Sequence, residues 1–521
     1  MAEKTPETRD FKVMEIFELD SDGGTSVAVE EQTSTWQMVL RYRGAIIWSA
    51  FIGLAGINWG MDVLLSSGVI SVPSFQKEFG YNFEGKYIIS ASWQIAFNTA
   101  ASIGGFFGAI GSGYLADKLG RRLTLAIACV VSIGAVFMQV FAGSSGLLFT
   151  GKLINGLSLG SFLTITSSYS SEVCPVEVRG LTTSGVQLFV GFGQLVANLI
   201  LKGTGTLSSS LAYKIPFMLQ FIFPIILLLG LPFCPESPWY LARTHNTPLA
   251  LSTLSRLGYP DPATTLSEIS NTITAEELKS SSTTYLDCFR GSDARRTEIA
   301  MGIFAVQQLT GVVFTIGYSS YFFELAGLSA SSSFSLSLGV SALGLIGVMC
   351  SWFLINRTGR RSTSLTGAAI LTALLFLIGV LDLVPAGAHN TGPVYGQVAC
   401  VIAFAFTYLL TIGPVGWTLF AEISSSRLRS RTVGLGIVVQ NSFGVLMNIV
   451  VPLLINPDAA DLGGKIGFIF GGTAGLGVLW VYFRVPETAH RSFEQLDWLF
   501  ESGVPARRFK GYQVPLLDGP G

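Results

Sequence analysis

Two charged residues stand where a charge is costly. Asp62 and Lys152 both fall inside long apolar stretches, and at the centre of a membrane helix each would cost about 2.5–3.5 kcal/mol on insertion scales. Asp62 lies about four residues before the end of its stretch and Lys152 about five or six after the start of its own, so at 1.5 Å per residue they share a depth. A carboxylate facing an ammonium stays ionised, and protonation releases the pair, which makes a titrating switch. The same spacing equally allows each side chain to snorkel separately to the nearby interface.

A second group of charges repeats. Asp117-Lys-Leu-Gly120-Arg121-Arg122 returns as Asn356-Arg-Thr-Gly359-Arg360-Arg361, 239 residues on from glycine to glycine. Glu172 and Arg179 return as Glu422 and Arg429 at an offset of 250, and Pro235-Glu236-Ser237 returns as Pro486-Glu487-Thr488 at 251. Three spaced matches indicate a tandem duplication, the construction many membrane carriers use because symmetric halves can rock about a midplane site. Arginines at helix ends can face carboxylates and helix C-terminal carbonyls in one conformation and release them in another. The doubled spacing favours such a latch, built from Asp117, Gly120, Arg121, Arg122, Glu172, Arg179, Glu236, Arg360, Arg361, Glu422 and Arg429, although any one arginine alone would suit a simple inside-positive bias.

The elements that must position these groups are membrane helices. Half of the 521 residues are hydrophobic and 12% are charged, which excludes a soluble multidomain enzyme. A bilayer core needs roughly 20 apolar residues per helix. Stretches of that kind begin near Ala45, Tyr87, Leu123, Gly146, Leu181, Ile215, Ile299, Phe334, Ser364, Val394, Val433 and Lys465, giving twelve spans, numbered here in chain order. The fold class expected is an all-α membrane protein of two pseudo-symmetric six-helix halves. The expected divisions are a cytoplasmic tail (1–43), a first half (44–233), a cytoplasmic linker with short helices (234–296), a second half (297–485) and a cytoplasmic tail (486–521).

With the N-terminus inside, 26 Lys and Arg fall on the inner side and five on the outer: Lys77, Lys86, Lys202, Lys214 and Lys465. That asymmetry puts both termini in the cytoplasm. The first 36 residues are polar and acidic, without the apolar run and small-residue site of a cleaved signal peptide. Cys129, Cys350 and Cys400 fall in spans and Cys174, Cys234 and Cys288 on the inner side, so no external disulfide is expected. In the linker, Pro248–Leu257 and Ala275–Leu286 mix apolar and charged residues at helical spacing. Residues 1–40 and 490–521 are too polar to span and are expected to be mobile tails.

The motifs carry a resemblance. Ile154-Asn-Gly156-Leu-Ser-Leu-Gly160 followed by Tyr169, Glu172 and Arg179, then Pro235-Glu-Ser-Pro-Trp-Tyr-Leu-Ala-Arg243, Gln307-Gln308, and Gly413-Pro-Val-Gly-Trp417 with Glu422 are similar to the signatures of the sugar porters of the major facilitator superfamily. The resemblance covers roughly residues 45–500. Asp62-Val-Leu-Leu, Pro73 to Gly80, Trp93-Gln94, Tyr318 to Gly327 and Arg427-Leu-Arg429 resemble the fungal maltose and α-glucoside permease branch. Sugar porters of this kind place an Asp–Arg proton-coupling pair at the positions of Asp62 and Lys152, so the resemblance favours proton coupling there, with Lys carrying the charge.

A sugar presents hydroxyls in every direction and no net charge, so its site calls for amides, hydroxyls and an aromatic ring. Gln187 and Gln194 share a face of span 5, Gln307 and Gln308 sit in span 7, Trp417 in span 10 and Asn441 in span 11. Each amide could instead serve an interhelical hydrogen bond. The resemblance implies sugar contacts for Gln187, Gln307, Gln308, Trp417 and Asn441, with Gln194 in the same matching stretch. Departures are visible: Val313 and Gly317 replace an Asn and a Tyr of the family pattern, and Trp59, Gly105 and Gln440 stand where the α-glucoside permeases carry two acidic residues and an Arg. These changes put maltose itself in doubt and open the way to another sugar, a polyol or a glycosylated metabolite.

Gly104-Gly105-Phe-Phe-Gly108-Ala-Ile-Gly111 reads as a close helix contact. Gly191-Phe-Gly193 follows no strand and is not a nucleotide fingerprint. No phosphate-binding Gly-x-x-x-x-Gly-Lys-Ser/Thr loop occurs, so ATP does not drive the protein directly. Glu324 and Asp382 take no role. The expected protein is not an enzyme, needs no cofactor or metal, binds no nucleic acid, and acts as a monomer in the plasma membrane on a hexose or α-glucoside disaccharide with a proton. Alternatives are a facilitative sugar or polyol uniporter, an exporter of a sugar-like metabolite and, against the short C-terminal tail, a non-transporting sensor.

Overall fold

A computed structural model describes residues 16–19, 25–28, 40–83, 85–280, 285–384, 392–423, 428–489, 491 and 493–512, and within some helices the backbone only. Spans 1 to 5 are the helices Arg43–Gly68, Ala91–Leu119, Arg121–Val140, Ser145–Val173 and Val176–Thr204. Span 8 is Ala330–Thr358, span 9 Arg360–Asp382, span 11 Arg429–Ile455 and span 12 Ile466–Arg484.

Three spans are broken, each where the sequence removes a backbone donor or frees a dihedral. Span 6 runs as Leu211–Leu219 and Ile222–Gly230. Pro216 and Pro224 lack the N–H groups that would bond the carbonyls of Ala212 and Gln220, so the helix loosens around Gln220. Span 7 runs as Gly291–Leu309, a π-helical turn Val313–Gly317 and Ser319–Leu325, with Gly311 at φ 77° supplying the bend. Span 10 divides into Gly392–Leu410 and Ile412–Ile423 at Pro414, which cannot bond the carbonyl of Leu410.

Eleven of these segments are long and apolar enough to cross a membrane on their own, and the broken span 7 completes twelve. Span 2 starts at Ala91, later than the apolar run suggests, because Lys86–Ile88 pairs with Tyr81–Phe83 as a short hairpin. Spans 2 and 4 pack at backbone contact: a Cβ on Gly108 would lie 2.0 Å from the carbonyl of Leu157, the close approach that the glycine pattern predicts.

The linker forms Pro238–Arg243, Thr247–Leu257 and Pro262–Ser280. These helices bury Leu241, Ala250, Leu254 and Leu266 together, and Tyr259 donates to the carbonyl of Val173 at 3.3 Å, so the linker packs on the first half. The second expected linker helix is displaced: Pro262–Ser280 ends inside it, and Tyr285–Phe289 is a separate 3-10 turn. The C-terminal segment differs more. Phe493–Glu501 is a helix whose Leu496, Leu499 and Phe500 are buried with Val415, Leu419 and Val481 of spans 10 and 12, so apolar burial every three or four residues makes it part of the bundle rather than a mobile tail. Near the N-terminus, Ile16–Leu19 pairs antiparallel with Thr25–Ala28.

Candidate functional site

Asp62 is 1% exposed and Lys152 2%, so neither snorkels. They do not form the direct ion pair that the shared depth suggests: the pairs within 4.0 Å among the described residues do not include them. Instead Lys152 Nζ donates to Ser66 Oγ at 2.8 Å and lies 5.2 Å from the Phe217 ring. Asp62 Oδ1 accepts from Asn155 Nδ2 at 3.0 Å and from Gln220 Nε2 at 3.3 Å. Asn155 is itself oriented, its Oδ1 accepting from Ser132 Oγ at 3.0 Å. Asp62 Oδ2 is buried with no partner. A buried carboxylate oxygen without a partner carries an uncompensated desolvation cost.

The amides divide into two kinds. Gln187, Gln194, Gln308 and Asn441 are half-buried, and their side chains make no hydrogen bond to another described residue, which suits them to a polar ligand or to water. Trp417 is 40% exposed, its ring 5.0 Å from Phe304 and edge-on to it. Gln307 belongs to the other kind. It is 2% exposed and its Nε2 donates to the carbonyls of Ile412 at 2.9 Å and Gly413 at 3.0 Å. Its Nε2 thus holds span 10 beside its break, and a sugar contact expected of this residue would fall to the carbonyl oxygen of the same amide.

The halves meet through a polar seam away from the linker. Asn98 Nδ2 donates to Tyr318 Oη at 2.7 Å and Gln94 Nε2 to Asn456 Oδ1 at 2.7 Å. Tyr321 donates to the same Asn456 oxygen. Ser67 Oγ donates to the Gly317 carbonyl at 2.5 Å, and the Ala91 amide to Asp458 Oδ2 at 3.2 Å. Asn198 Nδ2 reaches Ser341 Oγ at 2.7 Å. These contacts join the late turns of spans 1, 5, 7 and 11 to the early turns of spans 2 and 8, closing the side opposite the linker. Sequence reasoning noted Gln94 and Tyr318 only as motif members and missed Asn98 and Asn456; polar residues recurring at span ends were the available signal.

At the linker end the duplicated loops build the same cap twice. Arg121 Nη2 lies 2.8 Å from Glu172 Oε1, and Arg360 Nη2 2.7 Å from Glu422 Oε1. Glu236 accepts the amides of Arg121 and Arg122 at 3.0 and 3.2 Å; Glu487 accepts those of Arg360 and Arg361 at 2.8 and 3.1 Å. A carboxylate on the first amides of a helix satisfies orphan donors and meets the positive end of the dipole. The second arginine of each loop closes the last span of its half: Arg122 Nε on the Leu231 carbonyl at the end of span 6 at 3.1 Å, Arg361 Nη2 on that of Tyr482 in span 12 at 2.7 Å. Gly120 and Gly359 have φ of 89° and 86°, and a Cβ would come within 2.7 and 2.5 Å of the Glu236 and Glu487 carboxylates. Asp117 is exposed and 3.5 Å from Arg121. The side chains of Arg179 and Arg429 lie outside the described residues. Each cap closes within its own half, and Glu487, quoted in the repeat but not assigned, is the missing counterpart of Glu236.

Comparison with known proteins agrees with this architecture. The profile of the family described as Sugar (and other) transporter matches residues 48–500. The general alpha-glucoside permease of Saccharomyces cerevisiae is 33% identical over 501 residues, covering 94% of this chain and 80% of that protein. The maltose permease MAL31 of the same species is 35% identical over 489 residues, covering 91% and 78%. Among solved structures, the E. coli xylose transporter XylE in a partially occluded inward-open conformation superposes with a TM-score of 0.70 at 19% identity, covering 87% of this chain and 99% of that one. The XylE proton:xylose symporter bound to 6-bromo-6-deoxy-D-glucose gives 0.70 at 21% identity, covering 88% and 99%. The two solved structures share the fold, twelve helices in two six-helix halves. By its profile match and its permease relatives, this chain belongs to the sugar transporter family and is a multi-pass membrane carrier, not an enzyme.

Proposed function

We propose that this protein carries a sugar of the hexose or α-glucoside class across the plasma membrane in symport with a proton, by rocking its two halves about a central site. The single observation that carries the coupling is Asp62: a buried carboxylate with one oxygen unpartnered, near a buried ammonium but not paired to it. A proton can land there without breaking an ion pair, and Lys152 supplies the counter-charge when the proton leaves. The relatives whose names specify α-glucosides and maltose support the substrate class. Gln187, Gln194, Gln308, Trp417 and Asn441 would hold substrate: amides for hydroxyls, the indole for the apolar face of a pyranose.

In this reading both termini, the linker and the duplicated caps face the cytoplasm, and the seam of Asn98, Tyr318, Gln94 and Asn456 is the outer gate in its closed state. The protein works as a monomer. Uptake into proteoliposomes with and without an inward proton gradient tests the proposal. Accumulation above the external concentration only with the gradient is expected, and Asp62→Asn should abolish accumulation while leaving exchange. Equal uptake with and without the gradient would reduce the protein to a uniporter.

A further inference from the structure

The two unsatisfied atoms beside Asp62 are complementary. Gln220 is 0% exposed, its Nε2 donates to Asp62 Oδ1 at 3.3 Å, and its own Oε1 is buried without a partner, as is Asp62 Oδ2. A carboxyl and a primary amide joined through one N–H···O bond can close a second bond between the remaining acid and amide oxygens when the bonded N–H is the one on the carbonyl side of the amide. With the carboxylate ionised these are two acceptors, and no hydrogen bond can form between them. One proton on Oδ2 changes that, since the acid O–H then donates to Oε1 while Nε2–H continues to donate to Oδ1. Both orphaned atoms are satisfied by a single event: a hydronium ion gives its proton to Oδ2, so that one O–H bond breaks as another forms and water leaves.

We infer that Asp62 takes its proton on Oδ2 and that the side-chain carbonyl of Gln220 holds it, the two residues closing into a cyclic acid–amide pair. The inference rests on the reading of Asp62 as the proton site and adds the atom and the partner. The surroundings permit it. Lys152 lies close enough to Asp62 for their charges to interact, and its Nζ donates to Ser66. Asn155 donates to the same Oδ1 as Gln220, which leaves Oδ2 as the oxygen open to the proton. Gln220 sits at the break of span 6, between Pro216 and Pro224, so the proton ties span 1 to the one place in span 6 where the helix can give. Gln220 is a positioning residue: it makes no contact with sugar and acts through Asp62.

Infrared difference spectra of the reconstituted protein between neutral and acidic pH test this. A protonated carboxyl band that disappears in Asp62→Asn is the mark of the proton site itself, and its absence would overturn the reading on which the inference rests. Given that band, Gln220→Leu and the volume-conserving Gln220→Met should each move it to higher wavenumber, because the acid loses its acceptor, while substrate exchange persists. In otherwise unaltered protein carrying carbon-13 at the glutamine side-chain carbonyls, acidification should shift one amide band downward, and Asp62→Asn should abolish that shift. A carboxyl band indifferent to both Gln220 variants, or an amide spectrum indifferent to pH, overturns the acid–amide pair while leaving Asp62 as the proton site.

Discussion

Glu236 and Glu487 occupy equivalent places in the two halves, each accepting two consecutive amides at the start of a span, with oxygen to nitrogen distances of 2.8 to 3.2 Å. Removing either carboxylate should leave those amides without their charged acceptor, at a cost of about 1–3 kcal/mol. Glu236→Ala and Glu487→Ala are each expected to lower the melting temperature in detergent, and the double variant to show the sum of the two. Gly120→Ala and Gly359→Ala should be at least as damaging, since each adds the strain of an extended backbone at positive φ, about 1–3 kcal/mol, to a Cβ crowding the same carboxylate. Unchanged melting in all four would show that the caps carry no stability.

The polar seam opposite the linker should bias the balance between its open and closed states. Tyr318→Phe removes the acceptor of Asn98. One buried hydrogen bond is worth about 1 kcal/mol, so the closed population should fall roughly fivefold relative to the open one. A cysteine introduced at Ser320, which faces Ser71 across the seam at 3.3 Å, reports it: alkylation by an impermeant reagent should be faster in the Tyr318→Phe background.

Gln307 and Trp417 should separate in kinetics. Gly416→Ala would place a methyl 2.1 Å from Gln307 Nε2 and force the amide off the Ile412 and Gly413 carbonyls. Maximal uptake rate should drop by about tenfold or more with little change in KM, because the joint of span 10 is disturbed rather than the ligand contacts. Trp417→Ala should instead raise KM for every transported sugar. Identical kinetic signatures in the two variants would contradict the division of roles.

The docked C-terminal helix should contribute measurably to the second half. Leu499 is fully buried, and Asp497 holds Arg296 at 2.5 Å. Leu499→Ala should cost about 2–5 kcal/mol, read as a loss of thermal stability. Asp497→Asn, which leaves buried Arg296 without its carboxylate, should also destabilise.

Asp261 gives the linker a pH dependence. The Thr264 hydroxyl and amide, with the Ala263 amide, bond its carboxylate at 2.6, 3.2 and 3.2 Å and hold its carboxyl below the usual carboxylate range. A folded-state value below the unfolded one means that the stabilisation is present above about pH 4 and is lost as pH falls further. Hydrogen exchange across Pro262–Ser280 should accelerate on that acid limb, and Asp261→Asn should flatten the dependence.

Much of the scaffold was legible in the sequence because membrane helices announce themselves by length and hydropathy, and because the duplication repeats its caps at fixed offsets. Glu172 and Glu422 could be grouped with the duplicated loops from spacing alone, whereas the particular pairs Arg121–Glu172 and Arg360–Glu422 come from the structure. The partners of Asp62 could not. Asn155 and Gln220 approach it from spans 4 and 6, and which faces of three helices converge depends on packing that no single periodicity encodes. The span 10 carbonyls that Gln307 reaches were hidden for a related reason: a membrane glutamine is equally suited to a ligand and to a neighbouring carbonyl, and spacing does not show which of them its amide nitrogen meets. The C-terminal helix hid behind its charges, although Leu496, Leu499 and Phe500 already lay at helical spacing.

Among the described residues, the ion pairs close within one half or within the linker, while the seam between the halves is made of hydroxyls, amides and two carboxylates, Asp458 and Glu324, with neutral donors. Salt screens exposed charge pairs and leaves neutral hydrogen bonds nearly untouched. Ionic strength should therefore soften each half without tilting the balance between the two faces, so the same carrier can keep its stroke in dilute and in salty surroundings.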